Sequence, residues 1–163
     1  MEIERKFTIR KLPDNLSDYK CLQIEQAYLN TDPVIRIRRQ DDDYYLTYKG
    51  KGLMAREEYN LPLNASAYDH LRKKADGNII AKKRYLLPIA KPDFVTGYLP
   101  ESADIKLTIE LDVFDAPFAP LIIAEVEFPT EEVALAFLPP DWFLEDVSLN
   151  PAYHNSTLSR QIF

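Results

Sequence analysis

The sequence predicts a predominantly β (α+β) fold, built as an antiparallel sheet with a few flanking helices. Three observations predict it. Apolar and polar residues alternate with period two, with many β-branched and aromatic side chains, in nine segments. Asp41-Asp42-Asp43 and Lys49-Gly50-Lys51-Gly52 supply turns between consecutive segments, and charged residues recur at i, i+2 within them. Short strands in direct succession favour antiparallel pairing, because parallel βαβ units need a long crossover.

Taken in order, the strands are expected near 2–9, 22–29, 34–40, 43–49, 54–61, 79–88, 94–98, 105–114 and 121–128. Helical signals are fewer. Asn64 is placed to N-cap a helix running through Ala75 and stopping at Gly77; Thr130 caps Glu131 to Leu138, ended by Pro139-Pro140; a third, short helix starts near Asn155. No repeat, low-complexity tract or Gly/Ser linker interrupts the 163 residues, so a single domain over 1–163 is expected, long enough to bury a core unaided.

Composition narrows the function. At 46% hydrophobic and 28% charged residues the chain is neither disordered nor membrane-embedded by composition. No run approaches the roughly 20 apolar residues of a membrane span, and Met1-Glu2-Ile3-Glu4-Arg5-Lys6 lacks the apolar stretch of a secretory signal. A cytoplasmic location with no membrane partner is the expectation. A formal net charge of −6 argues against a nucleic-acid duplex as partner, so any anion must bind in a local pocket. Cys21, the single cysteine, is expected to be a buried small hydrophobe, and its lack of a partner agrees with a reducing compartment. His70 and His154 stand in no metal-ligand spacing and are expected to serve surface or local structural roles.

The chemistry lies in the charged face of the strands. Glu2, Glu4 and Lys6 are spaced by two and project from one side, and the spacing recurs at Arg36/Arg38, Arg56/Glu58, Lys82/Arg84, Glu110/Asp112 and Glu125/Glu127; Lys49 shares the face of Thr47. The alternate positions, as in Ile35-Ile37, Ile109-Leu111-Val113 and Val126-Phe128, are strongly apolar and read as the packed face. A merely solvated face would mix in more Thr, Ser and Gln. If a sheet of about eight strands closes into a barrel, one face becomes an interior wide enough for one small ligand. The seven cations (Lys6, Arg36, Arg38, Lys49, Arg56, Lys82, Arg84) and seven anions (Glu2, Glu4, Glu58, Glu110, Asp112, Glu125, Glu127) would then line a tunnel. Balanced signs suit an anion bound together with a metal, since arginine and lysine grip phosphate oxygens while carboxylates hold a hard divalent cation.

These residues resemble the CYTH superfamily of triphosphate tunnel metalloenzymes. The resemblance starts at Glu2-Ile3-Glu4-Arg5-Lys6 and continues in family order through Gln26-Ala27-Tyr28-Leu29, Arg36-Ile37-Arg38, Tyr45-Leu46-Thr47-Tyr48-Lys49-Gly50 and Arg56-Glu57-Glu58-Tyr59. It then takes in Lys82-Lys83-Arg84-Tyr85, Glu110-Leu111-Asp112-Val113-Phe114, Ala124-Glu125-Val126-Glu127 and Tyr153-His154-Asn155-Ser156-Thr157-Leu158. It implies a closed eight-stranded antiparallel tunnel, Mg²⁺ or Mn²⁺ as cofactor, a small-molecule triphosphate as substrate, and inorganic tripolyphosphatase as the leading activity. Two positions depart from the pattern: Asn60 stands where a second glutamate is frequent, and Ala152 where a basic residue is common.

The resemblance and the charges together assign Glu2, Glu4, Glu58, Glu125 and Glu127 to the metal, and Lys6, Arg36, Arg38, Lys49, Arg56, Lys82 and Arg84 to the phosphates. Glu110 and Asp112 are supporting tunnel acids. By the resemblance, Tyr28 and Lys49 form the catalytic pair that activates water, with neighbouring cations favouring a neutral amine and an alkaline optimum. A cyclase acting on a nucleoside triphosphate, a thiamine triphosphatase and a non-catalytic polyphosphate or nucleotide sensor share the same tunnel and stay open, as does oligomeric state, homodimer included.

Overall fold

The computed structural model describes residues 1–102 and 104–163. Among them run twelve strands, β1 Glu2–Ile9, β2 Lys20–Thr31, β3 Val34–Gln40, β4 Asp43–Lys49, β5 Ala55–Arg56, β6 Glu58–Leu63, β7 Asp76–Ile89, β8 Asp93–Phe94, β9 Leu107–Phe114, β10 Ile122–Glu127, β11 Phe137–Leu138 and β12 Phe143–Asp146. Three α-helices accompany them: α1 Ala65–Arg72, α2 Glu131–Ala136 and α3 Asn155–Leu158.

Ten of these strands form one antiparallel sheet in the order β12-β1-β10-β9-β7-β2-β3-β4-β6, with β5 paired to β1. The β5 pairing curls the sheet into a nearly closed barrel, because β5 lies one residue before β6 and joins Glu2 to Arg56 and Ile3 to Ala55 across the seam. Counting β5 and β6 as one strand interrupted at Glu57 gives a ring of eight; β12 lies outside it, paired to the end of β1 through Phe7 and Ile9. Barrel closure removes the exposed sheet edges that a flat sheet of this size would leave.

Both predicted caps form. The Asn64 side chain accepts from the Ala67 N–H at 2.7 Å and the Thr130 hydroxyl from the Val133 N–H at 3.2 Å, each satisfying an orphan donor of its helix. Two of the helices, α1 and α2, cover the outer face of the barrel. Tyr68 of α1 packs on Ala27 and Ile37, while Val133 and Ala134 of α2 join Phe7, Ile109, Leu111 and Val126.

Several elements differ from the sequence expectation. The 94–98 strand shrinks to Asp93–Phe94, because the chain turns at Gly97 (φ 89°) with the Tyr98 N–H donating to the Val95 carbonyl. The 54–61 strand breaks at Glu57, where the Gly50 N–H takes the Glu57 carbonyl. The second helix stops at Ala136, and its expected last residues pair instead with β8. Cys21 is half-buried, not buried, since its position on β2 faces outward beyond the helix cover.

Candidate active site

Period-two geometry carries charged residues inward on seven of the eight strands of the ring, and β2 contributes the uncharged Gln26 and Tyr28. The cavity so formed has a volume of about 200 Å³ and is lined by Glu2, Glu4, Lys6, Tyr28, Arg36, Arg38, Lys49, Arg56, Glu58, Arg84, Glu110, Glu125 and Glu127 from the expected set. Val34, Gln40, Tyr45, Asn155 and Ser156 complete it. At one end the inward positions turn apolar: Tyr28, Val34, Ile80, Phe114 and Ile123 cluster with Phe118 and Leu158. The α3 segment is drawn over that end by a close approach at Gly77 (φ 71°), where an added Cβ would lie 2.1 Å from the Ser159 carbonyl oxygen.

The interior charges are organised in four groups. Lys49 Nζ donates to both Glu2 oxygens at 3.0 and 2.8 Å and lies 3.6 Å from Glu58, with Arg56 Nε 3.9 Å from Glu2. Lys6 Nζ sits between Glu4 at 3.4 Å and Glu125 at 3.3 Å. Arg84 reaches Asp112 in a bidentate pair at 2.7 and 2.8 Å, Glu125 at 3.2 Å, and Glu110. Arg36 and Arg38 make up the fourth group. Among the described residues neither has a carboxylate within 4.0 Å; Arg38 donates to Gln26 Oε1 at 3.1 and 2.8 Å, and Arg36 reaches only the Thr47 hydroxyl at 3.5 Å, its buried Nε without a partner.

Titration follows from these neighbours. Burial, then the Glu4 carboxylate, push Glu2 up to about 8 despite Lys49. Burial would raise Glu58 too, but hydrogen bonding to Glu2, the Lys49 charge and the Asn60 amide hold it down to about 2. Burial raises Glu127, helped by Glu58 and Glu4. Burial opposes the charge of Glu125, yet Lys6 and Arg84 hold it well below the usual carboxylate range. The Lys6 ammonium, in turn, is kept above its ordinary range by Glu125 and Glu4 against its own burial.

The structure does not bring every expected residue to the cavity surface. Lys82 and Asp112 point inward but lie beneath the cavity toward its apolar end, 2.6 Å apart and almost fully buried, with Lys82 Nζ 5.2 Å from the centroid of the Phe114 ring. Tyr28 and Lys49 both line the cavity, but no hydrogen bond joins them, and carboxylates rather than cations are the nearest charged partners of Lys49. His70 is exposed; His154 is buried, and burial followed by the Lys6 and Arg56 charges pushes it down to about 4. Gln26 and Thr47 were missed as site residues although period two places them beside Tyr28 and Lys49; being uncharged, they carried no signal of their own.

The donor set fits a hard divalent cation. Burial first, and then the neighbouring carboxylates Glu4 and Glu58, raise Glu2 and Glu127, and a cation among these oxygens would relieve that repulsion. Among the described residues no three acidic or histidine side chains are yet drawn tightly around one point. Lys49 holds Glu2, so enclosing an ion requires that contact to open.

Comparison with known proteins agrees with this architecture. The CYTH domain model matches residues 1–134. The chain is 34% identical over 164 residues to an inorganic triphosphatase of Nitrosomonas europaea, covering 99% of this chain and 98% of that protein. It is 31% identical over 166 residues to an inorganic triphosphatase of Acetivibrio thermocellus, covering 96% and 92%. A solved structure of an inorganic triphosphatase, 33% identical, superposes with a TM-score of 0.66 over 99% of this chain and 96% of that one. With a barrel ring of eight, an interior of paired and unpaired charges, and this similarity along its length, the chain belongs to the CYTH family.

Proposed function

We propose that the protein hydrolyses inorganic tripolyphosphate to pyrophosphate and phosphate with a divalent cation, Mg²⁺ or Mn²⁺. The observation that carries this reading is the pair Arg36 and Arg38: two buried guanidiniums that, among the described residues, have no carboxylate within 4.0 Å face a cavity whose other cations are paired with acids. Unpaired buried cations are costly, and an anion of several phosphates would satisfy both with bidentate contacts. The cavity offers little apolar wall for an organic group: besides Val34, its other carbon-rich lining comes from Tyr28 and Tyr45. An inorganic substrate fits that lining better than a nucleoside or thiamine ester, and the names of the two bacterial relatives point the same way.

In this reading Lys6, Arg36, Arg38, Arg56 and Arg84 hold phosphate oxygens, and Lys82 with Asp112 fixes Arg84 from behind. Glu2, Glu4, Glu58, Glu125 and Glu127 would hold the cation, which supplies neutralisation of charge on the phosphate oxygens. Water attacks the terminal phosphorus in line; its bond to the bridging oxygen breaks, and pyrophosphate leaves against the arginines. The proton of the water passes toward Tyr28 and Lys49, the latter available as an acceptor only after Glu2 has turned from it.

The test is a substrate panel. Tripolyphosphate, ATP, thiamine triphosphate and pyrophosphate are each incubated with Mg²⁺, Mn²⁺ or chelator, and orthophosphate, pyrophosphate and cyclic nucleotide are measured. Release of one orthophosphate and one pyrophosphate per tripolyphosphate, abolished by chelator, is expected. Cyclic nucleotide from ATP, equal rates on thiamine triphosphate, or no turnover of any substrate would each replace this reading.

A further inference from the structure

Asn60 lies on β6 directly across from Thr47 of β4 and is itself exposed. Thr47 is fully buried, and its hydroxyl donates to Asn60 Oδ1 at 2.6 Å. With that oxygen taken, the Asn60 amide nitrogen is left to face Glu58, and it donates to Glu58 Oε1 at 2.9 Å. Thr47 has spent its one proton, so toward Arg36, 3.5 Å away, it can act only as acceptor. The hydrogen bonds therefore have a single direction, from Arg36 through Thr47 and Asn60 into the Glu58 carboxylate, whose other oxygen faces Lys49 Nζ at 3.6 Å.

We propose that Asn60, held by Thr47, is a positioning residue that fixes the Glu58 carboxylate for the divalent cation. The inference deepens the triphosphatase reading and rests on it, because it takes Glu58 as one of the cation's ligands. A carboxylate on a strand end has free rotamers, and pinning one oxygen with an oriented amide removes the entropy cost of ordering it when the ion arrives. An aspartate at position 60 would accept from Thr47 equally well, but would repel Glu58 instead of donating to it. The amide thus does something that a merely structural rim contact between β4 and β6 does not require.

The test measures Mn²⁺ binding without substrate, by the electron paramagnetic resonance signal of free Mn²⁺, on the parent protein, Asn60→Leu, Thr47→Val, Thr47→Ser and the Asn60→Leu/Thr47→Val double variant. Asn60→Leu is expected to weaken Mn²⁺ by about tenfold, the low end of what removing a ligand's hydrogen-bond partner costs. Thr47→Val should weaken it by about threefold, Thr47→Ser by less than twofold, and the double variant no more than Asn60→Leu alone, as two members of one chain must behave. Tripolyphosphate binding in chelator should be unchanged in Asn60→Leu. Mn²⁺ affinity within twofold of the parent, additive losses in the double variant, or a parallel loss of chelator-resistant tripolyphosphate binding would each overturn the proposal. A parent protein that binds no Mn²⁺ would overturn the cation site itself, a result distinct from a parent that binds and a variant that binds equally.

Discussion

Replacing Asp112 by asparagine keeps the shape of the residue and removes its charge. Asp112 is wholly buried and serves two cations, Lys82 at 2.6 Å and Arg84 through two bonds at 2.7 and 2.8 Å, which hold its carboxyl below the ordinary range against its burial. Arg84 keeps Glu110 and Glu125. Lys82 has no other carboxylate within 4.0 Å among the described residues, so the loss falls on it. Removing one partner of a buried pair costs about 3–5 kcal/mol, and the retained amide oxygen places this case near the low end, about 3 kcal/mol. For a chain of this size each kcal/mol moves the melting temperature by about 2–4 °C, so Asp112→Asn is expected to melt about 6–12 °C below the parent in metal-free buffer by circular dichroism. Removing the stranded cation as well, in Lys82→Met/Asp112→Asn, should recover most of that loss, because the cost is the unpaired charge and not the missing contact. A single variant melting within 2 °C of the parent, or a double variant no more stable than the single one, would refute the argument.

Three further outcomes are expected. His154 is held neutral with its value near 4, so the unfolded chain takes up a proton near 6.5 that the folded chain refuses; the stability this residue carries is complete above about pH 6.5 and is lost between there and about pH 4. His154→Gln should flatten the fall in melting temperature over that window, whereas parallel curves for parent and variant would count against a buried neutral imidazole. Glu4→Ala should lower tripolyphosphate turnover by about 100-fold or more while the protein stays folded, and phosphate release at the parent rate would reject the assigned cation site. Thr130→Ala removes the hydroxyl that caps α2 and should cost about 1 kcal/mol, or about 2–4 °C in melting temperature, with turnover unaffected.

The interior was legible in the sequence because a strand leaves its residues no choice: Glu2, Glu4 and Lys6 must share a face whatever surrounds them. The helix caps were legible for a similar reason, since Asn64 and Thr130 satisfy donors within three residues of themselves. What stayed hidden depends on distant partners. Phe143–Asp146 is a strand because β1 offers it an edge, and nothing in those four residues announces that. The break at Glu57 exists because the chain pairs first with Glu2 and Ile3 across the seam and then switches to pair with β4. Lys82 alternates in phase with Arg84 and so read as a cavity residue, yet register sets it beside the apolar end, opposite Phe114.

The arrangement of charges also explains how so polar an interior is compatible with a folded barrel. Of the cations assigned to phosphate, Lys6, Lys49, Arg56 and Arg84 are each within 4.0 Å of a carboxylate, and Glu2, Glu4, Glu58 and Glu125, all assigned to the cation, are among those carboxylates. The interior charges thus neutralise one another through the very groups that would separate on loading. On the proposed roles, drawing Glu2 toward a cation frees Lys49 and Arg56, and a phosphate that occupies those freed groups keeps the carboxylate from returning. Neither ligand alone removes both halves of the pairing. Each must therefore strengthen the other's binding by the same factor, because linkage between two sites is reciprocal. Among the described residues Arg36 and Arg38 have no carboxylate within 4.0 Å and stand outside this exchange, so on the proposed roles they would give the anion its first hold before any ion pair has opened.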